Sequence, residues 1–111
     1  AHKKLEPDDV KRLLQFALWR FEALRLWESE AIQATFRTLA EQLDLPIRDV
    51  LAPFFIAVSG SAVSPPLFDS MALLGPDLSR ARIRAALDVL GGVSKKQAKK
   101  LDKAYAALGR D

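Results

Sequence analysis

Apolar residues recur at steps of three and four along nearly the whole chain. Val10, Leu13, Leu14, Ala17, Phe21 and Leu24 make the first series, the spacing of a helix that buries one face. Pro7, Asp8 and Asp9 precede it and suit a helix start, where orphan N–H groups and the dipole favour acids. Ile32, Phe36, Leu39 and Leu43 predict a second helix beginning around Trp27, Glu28 and Ser29. Leu45-Pro46 stops it, because the residue before proline is pushed out of the α region. Residues 47–51 are expected to form a short separate turn. Pro53 then sits in the first turn of a third helix, where its missing N–H costs nothing, and that helix runs to Val58 and ends near Gly60.

The second half continues in the same way. Ser64 is placed as an N-cap with Pro65 at the first helical position. Leu67, Phe68, Met71 and Leu74 supply the apolar face, and Gly75 stands where a left-handed C-terminal residue belongs. Asp77 is expected to cap a fifth helix carrying Leu78, Ile83, Ala86, Leu87 and Leu90, closed by Gly91-Gly92. Ser94 with Gln97 three residues on makes a capping box for a sixth. Its apolar stripe is Ala98, Leu101, Tyr105 and Leu108, with lysines on the other side. The prediction is an all-α fold, a compact bundle of about six short helices. Gly91-Gly92 is the expected hinge before the last of them.

With 111 residues, 50% apolar and 28% charged, the chain has the balance of one globular domain, 1–111, with 91–111 as a basic C-terminal helix extension. There is no cysteine, hence no disulfide and no thiolate metal site. No apolar signal segment precedes the first amphipathic series, and no window approaches the roughly 18 apolar residues of a membrane span. A cytoplasmic protein without a membrane partner is expected. The formal charge of +3 is unevenly placed. Lys95, Lys96, Lys99, Lys100, Lys103 and Arg110 face only Asp102 and Asp111 in the tail, a net of about +4, so the residues before Gly91 sum to about −1.

Candidate chemistry is sparse. The one histidine is His2, at an end where a tag remnant is as good an explanation as biology, so a histidine or thiolate metal site is not expected. No glycine-rich phosphate loop appears. Ser59-Gly60-Ser61 has no internal histidine to activate a serine. Acids such as Glu28, Glu30, Asp8 and Asp9 sit at helix starts, where the dipole accounts for them. No catalytic group and no bound cofactor are expected in this segment.

One stretch is more specific. Pro53-Phe54-Phe55-Ile56-Ala57-Val58-Ser59-Gly60, then Ser64-Pro65-Pro66-Leu67-Phe68 and Leu73-Leu74-Gly75, resembles the C-terminal anticodon-binding domain of bacterial glutamyl-tRNA synthetases, which are class I enzymes. Trp27-Glu28-x-Glu30-Ala31-Ile32, Leu39-Ala40-Glu41 and Arg82-Ile83-x-x-Ala86-Leu87 look like further pieces of that pattern, which covers roughly residues 27–90. The resemblance implies a helical anticodon-binding fold, a longer parent that joins glutamate to its tRNA using ATP and Mg²⁺ held in its catalytic domain, and tRNA, tRNA-Glu first of all, as the partner. DNA and membrane are not expected partners, and a monomer is expected. By position, the anticodon-loop readers are Ser64, Pro65, Leu67 and Phe55. Phe55 departs from the pattern, which has an arginine there; phenylalanine offers a face to stack on rather than donors. Pro66 stands where glycine is common. Arg80, Arg82, Arg84, Lys95 and Lys99 are the candidate phosphate contacts. The alternatives are a lysyl-type class I anticodon domain, or a diverged helical module that docks a protein partner.

Overall fold

Six α-helices follow one another: α1 (Pro7–Ala23), α2 (Ser29–Leu43), α3 (Ile47–Ser59), α4 (Leu67–Leu74), α5 (Pro76–Val89) and α6 (Lys95–Ala107). They belong to a computed structural model that describes residues 5–59 and 66–108. No strand occurs among the described residues. The expected all-α bundle of six helices is the observed fold.

Local sequence sets most boundaries. Pro7 opens α1, and the Glu6 N–H donates to Asp9 Oδ2 at 3.0 Å, occupying an otherwise orphan donor. Asp44 closes α2 in the left-handed conformation (φ 55°), and the Leu45 N–H reaches back to the Ala40 carbonyl at 3.0 Å. That closure leaves Pro46 just past the helix, where a proline is harmless. Gly91 and Gly92 end α5 in a Schellman closure: their N–H groups donate to Asp88 and Leu87 carbonyls at 3.0 and 2.8 Å, both glycines at positive φ. The expected hinge is therefore a hydrogen-bonded cap. Ser94 and Gln97 form both arms of the predicted capping box, at 3.0 and 3.1 Å.

Three boundaries differ from expectation. Residues 47–51 are not a separate turn, because α3 runs unbroken through Pro53. Pro53 has no N–H for the Asp49 carbonyl, which ordinarily breaks a helix. Here Val50, Phe54 and Val58 lie 0–2% exposed on one stripe that spans the proline, and their burial carries the helix across it. The second difference is α4, which starts at Leu67 with Pro66 at the N-cap position, two residues later than predicted; the expected cap Ser64 and Pro65 lie outside the described residues. The third is α5, which starts at Pro76 with Gly75 as cap rather than at Asp77, since proline's fixed φ suits the first helical position.

The core is organised by aromatic rings. Phe36 of α2 is fully buried and meets Phe21 of α1 at 5.2 Å, Phe54 of α3 at 4.8 Å and Phe68 of α4 at 5.8 Å between centroids. Phe21 also meets Trp27 edge-on at 5.4 Å. A second group attaches the tail: Tyr105 of α6 lies 5.3 Å from Phe16 and 5.0 Å from Trp19 on α1. Arg20 donates to the Tyr105 hydroxyl at 2.9 Å and to Gln42 Oε1 at 2.6 Å. Among the described residues, α6 packs against α1 and no other helix.

Two substitutions separate these groups. Phe36→Ala is expected to lower unfolding stability by about 3–5 kcal/mol in urea titration. Tyr105→Ala should release α6 alone, seen as faster amide exchange over α6 with α1 to α5 still protected.

Candidate nucleic-acid interface

α3 and α4 are joined by residues 60–65, and the ends of both helices are held from α5. Ser59, the last residue of α3, turns its hydroxyl back to the Phe55 carbonyl. One residue earlier, the Val58 carbonyl accepts from Arg82 Nη1 of α5. On the far side, the Met71 carbonyl near the end of α4 accepts from the Gly75 N–H at 3.1 Å, from Trp27 Nε1 at 2.9 Å and from Ser79 Oγ of α5 at 3.2 Å. Ser79 is completely buried, and this bond answers its hydroxyl. Trp27 lies in the link before α2, so its indole ties that link to α4 as well. Gly75 makes the corner between α4 and α5 at φ 87°, ψ 168°, a region essentially closed to side chains.

The predicted site residues fall into distinct settings. Ser64 and Pro65 lie outside the described residues. Leu67 is 3% exposed, its side chain committed to the core. Pro66 beside it is exposed, and its carbonyl accepts the first helical bond of α4, from Ser70 at 3.0 Å. Phe55 is half-buried and packs against the core from the last turns of α3. The Phe55 carbonyl accepts from the Ser59 hydroxyl, whereas Arg82 reaches the Val58 carbonyl, both at the end of α3.

The cations do not form one strip. Arg80 pairs with Asp77 at 3.0 Å and also reaches the Phe21 carbonyl at 3.5 Å. Arg84, four residues on and so on the same face, pairs with Glu22 of α1 at 3.3 Å. Both therefore face α1, whereas Arg82 points to α3. The exposed Arg84–Glu22 pair contributes about 0–1 kcal/mol. Lys95 and Lys99 are exposed on the first turns of α6. Among the described residues no group of His, Cys, Asp and Glu could hold a metal, and no helix is long and apolar enough to cross a membrane.

Sequence reasoning missed the cross-helix bonds of Arg82 and Trp27. The indole carried a signal, since a partly buried Trp N–H nearly always finds an acceptor; nothing local pointed to its carbonyl 44 residues away.

α3 and α4 are thus both held from α5, the helix that also carries Arg80, Arg82 and Arg84. The model of the anticodon binding domain matches residues 1–87, and the chain belongs to that family. It is 52% identical to the glutamate–tRNA ligase of Cellvibrio japonicus (strain Ueda107) over 108 residues, 97% of this chain and 21% of that protein. The corresponding ligase of Marinobacter nauticus is 51% identical over 98% of this chain and 22% of its own length. That of Ectopseudomonas mendocina is 46% identical over 96% and 22%. The chain thus spans about a fifth of the length of these curated relatives. The family model stops at residue 87, yet the relatives match through most of the tail, so α6 is shared with them.

Gly75→Ala tests the corner that sets α4 against α5. A methyl group there meets no atom within 4 Å, so the expected loss of about 1–3 kcal/mol, read from urea unfolding, is backbone strain alone.

Proposed function

We propose that the chain is the C-terminal anticodon-binding part of a glutamate–tRNA ligase and holds the anticodon loop of a glutamate tRNA. The observation that carries this reading is identity of about one half to such ligases over nearly all of the chain. The same similarity favours it over the lysyl-type and protein-docking alternatives. Anticodon bases are unstacked, so the segment 60–65 and the start of α4 can pair with their edges while apolar surface covers their faces. Ser64 supplies a hydroxyl and Pro65 a rigid apolar face. Leu67, with its side chain in the core, contributes through the backbone of the first turn of α4, whose N–H groups have no helical acceptor. Phe55 offers a ring to stack on rather than donating as an arginine would. Arg80, Arg84, Lys95 and Lys99 supply the phosphate contacts, which give affinity without sequence preference.

The parent enzyme, on this proposal, works in the cytoplasm as a monomer and joins glutamate to tRNA with ATP and Mg²⁺ bound outside this segment. This part contributes selectivity and grip.

The test is a titration of the chain with a labelled glutamate-tRNA anticodon stem-loop, and with one altered at the second and third anticodon bases, at low and physiological salt. A preference of roughly tenfold or more for the authentic loop is expected, equivalent to one or two lost hydrogen bonds. Ser64→Ala should cut that preference by roughly three- to tenfold. Replacing Lys95 and Lys99 by alanine should weaken both RNAs alike and flatten the salt dependence by about one to two units of log–log slope. Equal binding of both loops by the unaltered chain refutes anticodon reading.

A further inference from the structure

Three helices leave an apolar groove open between them. Its walls come from Val10 and Leu14 of α1, Pro53 and Ile56 of α3, and Ala86 and Val89 of α5, and its volume is about 430 Å³. Ile56 is 57% and Val89 87% exposed, although both sit on helices whose other faces carry the core. Apolar residues exposed singly are ordinary; exposed together across one groove they mark an interaction surface. The one charged residue along it is Arg82, whose guanidinium is turned to the Val58 carbonyl. Sites for small polar molecules keep a few convergent polar groups that fix the ligand's orientation. Here the guanidinium is already engaged, so the groove suits aliphatic side chains rather than a metabolite.

The fold restricts which side chains can reach it. The groove opens beside the first turn of α1: Val10 stands about 4.5 Å along the axis from Pro7, where that helix begins. α6 does not fill it. Tyr105 of α6 packs on Trp19, which follows Val10 by about two and a half turns and so lies on the opposite face of α1. Among the described residues α6 touches no other helix. The chain itself spans only about a fifth of the length of the ligases it matches, so most of such an enzyme lies outside this segment.

Resting on the function proposed above, in which the chain is the C-terminal part of a longer ligase, we propose that this groove seats aliphatic side chains of the ligase segment that precedes α1. That contact fixes the anticodon-binding part on the rest of the enzyme. An interface between domains of one chain buries roughly 600–1,500 Å². The groove supplies its apolar centre, and Ile56 and Val89 are the residues whose exposure it removes.

Ile56→Asn together with Val89→Asn removes the apolar rim without adding charge, so attraction for RNA is left as it is. Both positions are exposed, and the chain alone should keep its urea midpoint. Amide exchange at residues 54–57 and 85–90 is then compared between the chain alone and the intact ligase. Docking is expected to slow exchange there by roughly tenfold or more in the intact ligase. The paired substitution should return it to the rate of the chain alone. Each substitution by itself should remove part of the protection, and serves if the pair does not fold.

Equal exchange in the chain and the intact ligase overturns the proposal, because the groove is then open in the enzyme. Slowing that survives the paired substitution overturns it too. Slowing in the chain alone that grows with its concentration assigns the groove to a second copy, and slowing that requires added stem-loop assigns it to RNA; each of these also overturns it. Anticodon preference is read separately, in the stem-loop titration, so failure of that reading and failure of this one are told apart.

Discussion

The first four helices are indexed on the ring of Phe36. It is the point where α2 touches α1, α3 and α4 through aromatic edges and faces. Such contacts fix orientation as well as separation, because the ring quadrupole favours edge-on and tilted approaches over arbitrary ones. Aliphatic packing alone would tolerate sliding of one helix along another. With Phe21, Phe54 and Phe68 each committed to a different helix, a shift of any one disturbs the same central ring. Short helices of 8 to 17 residues are marginal by themselves in water, so their persistence depends on this shared burial.

α5 converts that rigidity into a defined site. It touches α1, α3 and α4, and its polar residues on the α3 and α4 side reach carbonyls at helix ends rather than solvent. A bond at a helix end does more geometrical work than one in the middle, since only the end decides where the chain goes next.

The helices themselves were legible because their signals are local. Apolar residues at steps of three and four placed most of them, Ser94 with Gln97 announced a capping box, and Gly75 announced a helix end. Pro53 misled because its local rule is sound but outweighed: Val50, Phe54 and Val58 belong to one buried stripe, and that is a tertiary fact. Leu67 was read both into the apolar face of its helix and among the anticodon-loop residues, and its side chain takes the first place, in the core; position in a motif does not say which way a side chain points. The pairings of Arg82 with Val58 and of Trp27 with Met71 span 24 and 44 residues, and no periodicity encodes them. Family membership was legible from ordered short motifs, and Phe55 stood out as a departure for the same reason.

The charge distribution divides the molecule's labour. The residues before Gly91 sum to about −1, and the tail carries about +4. A polyanion is therefore drawn chiefly to α6, over distances comparable to the Debye length of about 8 Å at physiological salt. α6 is tied to α1 through Tyr105, Phe16, Trp19 and Arg20, and its amino end is set by a Schellman closure followed by a capping box. The attracting charges thus sit on a helix packed against α1. On the proposed function, attraction and base reading then reside on different elements. Such a division lets long-range charge raise the encounter rate while short-range geometry, which charge cannot supply, decides between anticodons.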